Sequence, residues 1–170
     1  MPPRQPRTEL DPRYSEPDAP PVPWAQTQQL LAVAELSWLT TVRPDSRPHV
    51  TPLITVWVDD ALWFSAGAEE RKVHNAAENK HCALTTGSNA LHGGTDVVVE
   101  GEVHRETDES VLRRVAEEYE TKYGNEWHYT VRDGSFIGTA GNVAQVFRMN
   151  PTTAFAYGKA PYSQTRYRFD

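Results

Sequence analysis

Apolar residues recur along the chain in two rhythms, and the change from one to the other marks out its elements. From Trp24, the run WAQTQQLLAVAE (24–35) sets Leu30, Leu31 and Ala34 on one side of a 3.6-residue turn, which predicts an amphipathic helix. The rhythm then shortens. SWLTTVR (37–43), HVTPLITVWV (49–58) and LWFSA (62–66) are rich in β-branched and aromatic residues, with Pro44-Asp45-Ser46 and Asp59-Asp60 as turns between them. Strands joined so tightly run antiparallel. Pro52 lies inside the second strand and removes a ladder donor, so a bulge or a sheet edge is expected there.

Beyond this meander, residues 69–79 predict a short helix, HCALTT (81–86) a fourth strand and TDVVVEGEVHR (95–105) a fifth, with GSNALHGG as a flexible loop between the strands. Thr107 is placed to cap a helix that runs to about Tyr123. Val111, Val115 and Tyr119 recur at a spacing of four, with Leu112, Ala116 and Tyr123 beside them and Gly124 able to close the helix. After an irregular stretch, AQVFRM and TAFAYG predict two last strands. The pattern contains no internal repeat. Its sum is a mainly β (α+β) fold of six or seven antiparallel strands with two or three flanking helices. Short strands in that number close into a small barrel, which removes exposed edges.

Composition adds a boundary. Residues 1–23 hold 8 of the 13 prolines and almost no large apolar side chains. Such a stretch buries too little surface to offset its ordering entropy, so a flexible or extended arm (1–23) precedes one domain (24–170). The arm has the alternative of draping over a partner subunit. Net charge is −6, from 17 basic and 23 acidic residues. That balance excludes nucleic acid as a partner, because phosphate neutralisation needs a basic face, but it leaves room for a small anion on a local basic cluster. The single Cys82 fits a reducing compartment, and no apolar run resembles a signal peptide or membrane span. A cytoplasmic setting without membrane contact is therefore expected.

The histidines (His49, His74, His81, His92, His104, His128) form no short metal-binding spacing and Cys82 has no partner, so these groups are expected to satisfy hydrogen bonds rather than hold a metal. A Gly-x-Ser-x-Gly nucleophile elbow is absent. Trp38, Trp57 and Trp63 are expected to fill barrel and dimer cores, whereas Trp127 is a candidate wall for a substrate pocket.

The most informative local feature is the pair Arg71-Lys72 in AEERKVHNAAENKHCALTT (68–86), at the opening of the short helix. Glu69 and Glu70 could pair with these cations on a solvated face. Yet a cation in the first turn opposes the helix dipole, at about 0.3–1 kcal/mol each. An anion seated on the helix N-terminus reverses that sign. Two charge-assisted bonds contribute about 3–6 kcal/mol, and micromolar binding needs about 8. A phosphate grip alone falls short, so a planar body stacked on the adjoining strands must supply the rest. A phosphorylated planar cofactor meets that requirement.

The run TTVRPDSRPHVTPLITVWVDDALWFSAGAEERKVHNAAENKHCALTT, followed by VVVEGEV and AFAYGKAPYSQTRYRF, resembles the pyridoxamine 5′-phosphate oxidase-like superfamily of flavin-binding split β-barrels. The resemblance extends from Trp24 nearly to the C-terminus. It implies a homodimer that binds FMN, or in some branches the deazaflavin F420, at the subunit interface. On this resemblance Arg71 and Lys72 match the phosphate-binding pair, near Asn75. Val50, Thr51, Pro52, Leu53 and Ile54 match the strand lining the flavin ring, and Phe64 and Ser65 the end of the next strand. From the second subunit, Asp96 falls where a Gln often reaches the flavin, and Tyr157 and Arg166 fall near C-terminal Trp and Arg positions. Two departures stand out. The Arg-x-His element that grips the vitamin phosphate is missing from APYSQTRYRF, and Thr95-Asp96 replaces an Arg-Gln pair. The expected activity is therefore flavin-dependent oxidoreduction of a small molecule by hydride transfer, and not vitamin B6 oxidation. An F420-dependent reductase, for which Lys80, Arg47 and Arg168 could hold the longer anionic tail, and a flavin- or haem-binding module without turnover are the alternatives.

Overall fold

A computed structural model of the chain describes residues 5–169. β1 (Arg7–Leu10) leads through a 3-10 turn (Pro12–Tyr14) and an extended run into α1 (Trp24–Val33). β2 (Ser37–Val42), β3 (Pro48–Leu53), β4 (Val56–Val58) and β5 (Ala61–Ala66) follow, and α2 (Arg71–Glu78) joins β5 to β6 (His81–Thr86). After β7 (Thr95–Glu106) come α3 (Glu109–Tyr123), a 3-10 turn (Asn125–Trp127) and the short pair β8 (Thr130–Arg132) and β9 (Ser135–Ile137). β10 (Val143–Lys159) and β11 (Tyr162–Arg168) close the chain.

Every strand pairing is antiparallel. The main order is β1-β11-β10-β7-β6-β2-β3, with β5 attached to β10 and β4. The barrel splits at β10. Gln145–Met149 pair with β5, whereas Thr153–Lys159 pair with β11, and β7 follows the opposite edge throughout. The register shifts between Pro151 and Thr153, where one partner gives way to the other. The sequence pattern suggests two strands here, AQVFRM and TAFAYG, with Pro151 between them. Instead the proline sits in a bulge within one continuous strand, where its missing N–H costs no ladder bond. Gly101 allows the close approach opposite, since a Cβ there would lie 2.2 Å from the Asn150 carbonyl oxygen.

Two cores result. In β5, Leu62, Phe64 and Ala66 face a core shared with Trp24, Leu31, Leu39, Leu84 and Tyr167, while Ala61 and Trp63 face a second one under α3. The period of two thus serves two interiors at once. Asp108, and not Thr107, caps α3, its carboxylate accepting from Ser110 N–H at 2.8 Å and Val111 N–H at 3.3 Å. The expected strand 49–58 breaks into β3 and β4, and β3, which carries Pro52, is the sheet edge. β1, β8, β9 and β11 raise the described strands to eleven.

Most of the expected N-terminal arm lies within the described residues and is extended rather than loose. Residues 7–10 pair with β11 of the same chain, and Val22 donates its N–H to Thr165 Oγ1 at 2.9 Å inside the core. Residues 1–4 lie outside the described part. No helix among the described residues is long and apolar enough to cross a membrane.

Candidate functional site

β5 ends at Ala66, and Gly67 N–H then donates to Glu70 Oε1 at 2.7 Å, which fixes the turn into α2. Lys72 folds back, nearly buried, onto Glu70. Partial burial pushes the Glu70 carboxyl up, but the Lys72 ammonium and the Gly67 N–H outweigh it and leave its pKa below the usual value. Arg71 points outward and makes no hydrogen bond or ion pair among the described residues. One turn further on, the fully buried Asn75 donates from Nδ2 to Thr41 Oγ1 at 3.0 Å.

The β2–β3 register sets Thr41 opposite His49 and Leu39 opposite Thr51, so His49 and Thr51 share the face that carries Thr41. Burial lowers the His49 pKa, and the positive charges of Arg43, Lys72 and Arg71 lower it further. Arg43, His49, Arg71 and Lys72 therefore converge, with Glu70 offsetting one of three permanent cations. Buried side-chain atoms here lack hydrogen-bond partners: His49 Nδ1, Thr51 Oγ1 and Asn75 Oδ1. Orphaned buried polar atoms are costly, and in a field of excess positive charge they fit an anionic ligand with polar groups attached.

The other expected site residues fall elsewhere. Phe64 is buried in the core, stacked on Phe147 at 5.2 Å, so its ring does not reach the corner, and Ser65 is half-buried beside it. Leu53 packs against the first core, and Ile54 against the second. Val50 and Pro52 project from the outer face of β3, beside Thr40 and Trp38 of β2. Asp96 and Tyr157 sit opposite each other on that same outer face, and Arg166 lies opposite Phe155 one row along. Within one chain, His49 and Thr51 lie on the inner face, with the buried Leu39 and Thr41, whereas Asp96, Tyr157 and Arg166 lie on the outer face, with Trp38, Thr85 and Val98. The chain alone does not bring the basic corner to Asp96, Tyr157 and Arg166.

That outer face is hollowed. A cleft of about 720 Å³ runs past Leu36, Trp38, Thr85 and Val98 to Asp96, and another of about 630 Å³ continues from Asp96 past Tyr157 to Gln164. Arg166 lines a third with Glu9, which it holds at 2.6 Å. Trp38, Leu36 and Val50 are exposed there. Trp63 is buried and Trp57 half-buried against Trp24 at 5.9 Å, as core residues. Trp127, expected as a pocket wall, instead packs on Tyr123 at 6.3 Å near the C-terminus of α3 and lines none of these clefts. The Cys82 thiol is buried, which pushes its pKa up to about 12 and keeps it protonated at neutral pH.

An antiparallel, sheet-dominated split barrel, with a basic corner where a strand hands over to a helix, defines the class of fold. The pyridoxamine 5′-phosphate oxidase family profile matches residues 24–157, and the chain belongs to that family. A search of curated proteins finds no match to the sequence. Among solved structures, a conserved hypothetical protein of Mycobacterium tuberculosis superposes with TM-score 0.66 at 16% identity, over 89% of this chain and 90% of that one. An FAD-binding protein of Mesorhizobium loti gives TM-score 0.59 at 16% identity, over 86% and 94%. A heme-binding protein of Mycobacterium smegmatis gives 0.65 at 10%, over 82% of this chain and 55% of that one.

Proposed function

We propose that the chain is an FMN-binding oxidoreductase, working as a homodimer with shared cofactor sites on a small-molecule substrate. The observation that carries this reading is the content of the basic corner. Arg71, Lys72, the Thr51 hydroxyl and the His49 ring are suited to an anion, whereas the orphaned Asn75 Oδ1 is an acceptor and needs a hydroxyl. A phosphate joined to a polyol chain, as in FMN, satisfies both requirements. When bound, FMN would supply two-electron exchange with the substrate. The chain's own residues would hold and orient it: Arg71 and Lys72 would grip the phosphate, and β3, which among the described residues pairs with β2 alone, would offer its free edge (Val50 to Leu53) and the following Ile54 to a ring.

The sharing of sites is supported by the separation described above. A second copy covering the exposed Trp38, Leu36 and Val50 would bring its Asp96, Tyr157 and Arg166 to this chain's corner. The longer tail of F420 fits less well, because two cations that could receive it are already paired, Arg47 with Asp45 at 2.7 Å and Arg168 with Glu9 at 3.6 Å. Haem fits less well too, since the cations crowding His49 favour an anion over an iron centre. Analytical sedimentation of the purified protein, with detection at flavin wavelengths, tests the reading. A yellow dimer whose released ligand has the mass of FMN is expected; a colourless monomer that stays so after addition of FMN overturns it.

A further inference from the structure

The cleft of about 630 Å³ between the N-terminal segment and the β10–β11 hairpin has features that the cofactor reading does not use. Of the exposed large apolar side chains, three gather at this one rim: Tyr14 (65% exposed), Leu91 (71%) and Tyr162 (46%). Tyr157 adds a further aromatic wall, and Asp96, Lys159 and Gln164 supply the polar positions. The walls are tied in place. Asp11 N–H donates to the Gln164 carbonyl and Glu16 N–H to the Tyr162 carbonyl, both at 2.8 Å. Tyr162 N–H returns a bond to Glu16 Oε1 at 2.9 Å, and Gln164 N–H one to Ser15 Oγ at 3.1 Å. On the opposite side, Lys159 Nζ holds the loop through Ser88 Oγ at 3.2 Å.

Charge decides what such a cleft accepts. Lys159 is nearly buried and bound to Asp96 at 2.8 Å. Arg13, whose guanidinium lies 5.5 Å from the Tyr14 ring, is bound to Asp11 at 2.7 Å. Neither cation is free for an anion, in contrast to Arg71 at the basic corner. The side-chain amides of Asn89 and Gln164 and the Tyr157 hydroxyl keep uncharged hydrogen-bonding capacity.

We infer that this cleft binds a flat, uncharged, ring-bearing molecule with polar atoms at its edge, stacked among Tyr14, Tyr157 and Tyr162. The volume suits a molecule of two or three fused rings, within the ~300–1,000 Å³ common for ligand sites. Asp96 and Tyr157 belong both to this cleft and to the surface proposed to meet the partner's flavin. The cleft's role as the substrate site therefore rests on the FMN reading, whereas ligand binding there does not. The N-terminal segment becomes a wall of the pocket through Tyr14.

Calorimetric titration of the full chain with three isosteres tests this: naphthalene-1-carboxamide, naphthalene-1-carboxylate and 1-naphthylmethylammonium. The carboxamide is expected to bind at least about tenfold more tightly than either ion, a difference of about 1.4 kcal/mol. Tyr14→Ala is expected to weaken it about tenfold, while Tyr14→Phe keeps it and both variants bind FMN as the parent does. Equal binding of the three compounds, no binding of the carboxamide, or indifference to Tyr14→Ala overturns the inference. Carboxamide binding without any FMN binding would instead remove the cofactor reading and leave the cleft assignment standing.

Discussion

At His49, burial and three neighbouring cations act in one direction and hold the imidazole neutral where an exposed histidine begins to charge. A bound anion opposes that effect, so anion binding and proton uptake are coupled. Without ligand, the unfolded chain takes up this proton first. The histidine's contribution to stability is then present above the ordinary value of 6.5 and is lost as pH falls through it toward the lower folded value. With ligand the sign reverses for affinity. Sulfate, which does not titrate in this range, should bind more tightly at about pH 5.5 than at about pH 8, and His49→Gln should flatten the dependence. A flat profile in the parent protein, measured by calorimetry, would remove His49 from the corner. Arg71 and Lys72 stand out in the sequence as candidate residues because two cations in a first helical turn conflict with the dipole. Arg43 and His49 do not, because their proximity comes from strand register. The signal available was the hairpin itself: the turn at Pro44-Asp45-Ser46 pairs Thr41 with His49, and alternation then adds Thr51.

At the scale of elements, β10 shows what pattern reading loses. A proline within an apolar run separates two strands when considered locally, yet across the sheet Pro151 lies in a bulge opposite Gly101. Gly101→Ala would push a methyl group against the Asn150 carbonyl and disturb the handover from β5 to β11. A loss of about 1–3 kcal/mol in unfolding free energy is expected from denaturant titration; a loss below about 0.5 would mean that the bulge is not held by this contact. α3 is legible almost to the residue, since it carries a clear apolar stripe and Gly124 (φ 87) closes it as expected, whereas α1 buries Trp24, Thr27 and Leu31 rather than the expected side of Leu30, Leu31 and Ala34. β1, β8 and β9 are not legible, because strands of three or four residues carry too few alternations to stand out from loops. The proline content of residues 1–23 suggests mobility, but extended proline-rich backbone also suits an edge strand. The pairing to β11, reinforced by Arg166 to Glu9 at 2.6 Å, orders it.

For the whole molecule, one chain sets two features apart, a basic corner beside α2 and a hollowed outer face that carries Asp96 and Tyr157. The acidic net charge of −6 makes the corner a local exception, so its preference should be for a small anion and not for a polyanion. Riboflavin has the ring and polyol chain of FMN without the phosphate, which isolates the corner's contribution from all other contacts. Two charge-assisted bonds are worth about 3–6 kcal/mol, and Glu70 already holds Lys72, so the lower end applies. Parallel fluorescence titrations of FMN and riboflavin against the parent chain and an Arg71→Ala, Lys72→Ala variant measure this directly. The parent is predicted to prefer FMN by at least about a hundredfold and the variant to bind both alike. Equal affinities in the parent, or an unchanged preference in the variant, would contradict the assignment.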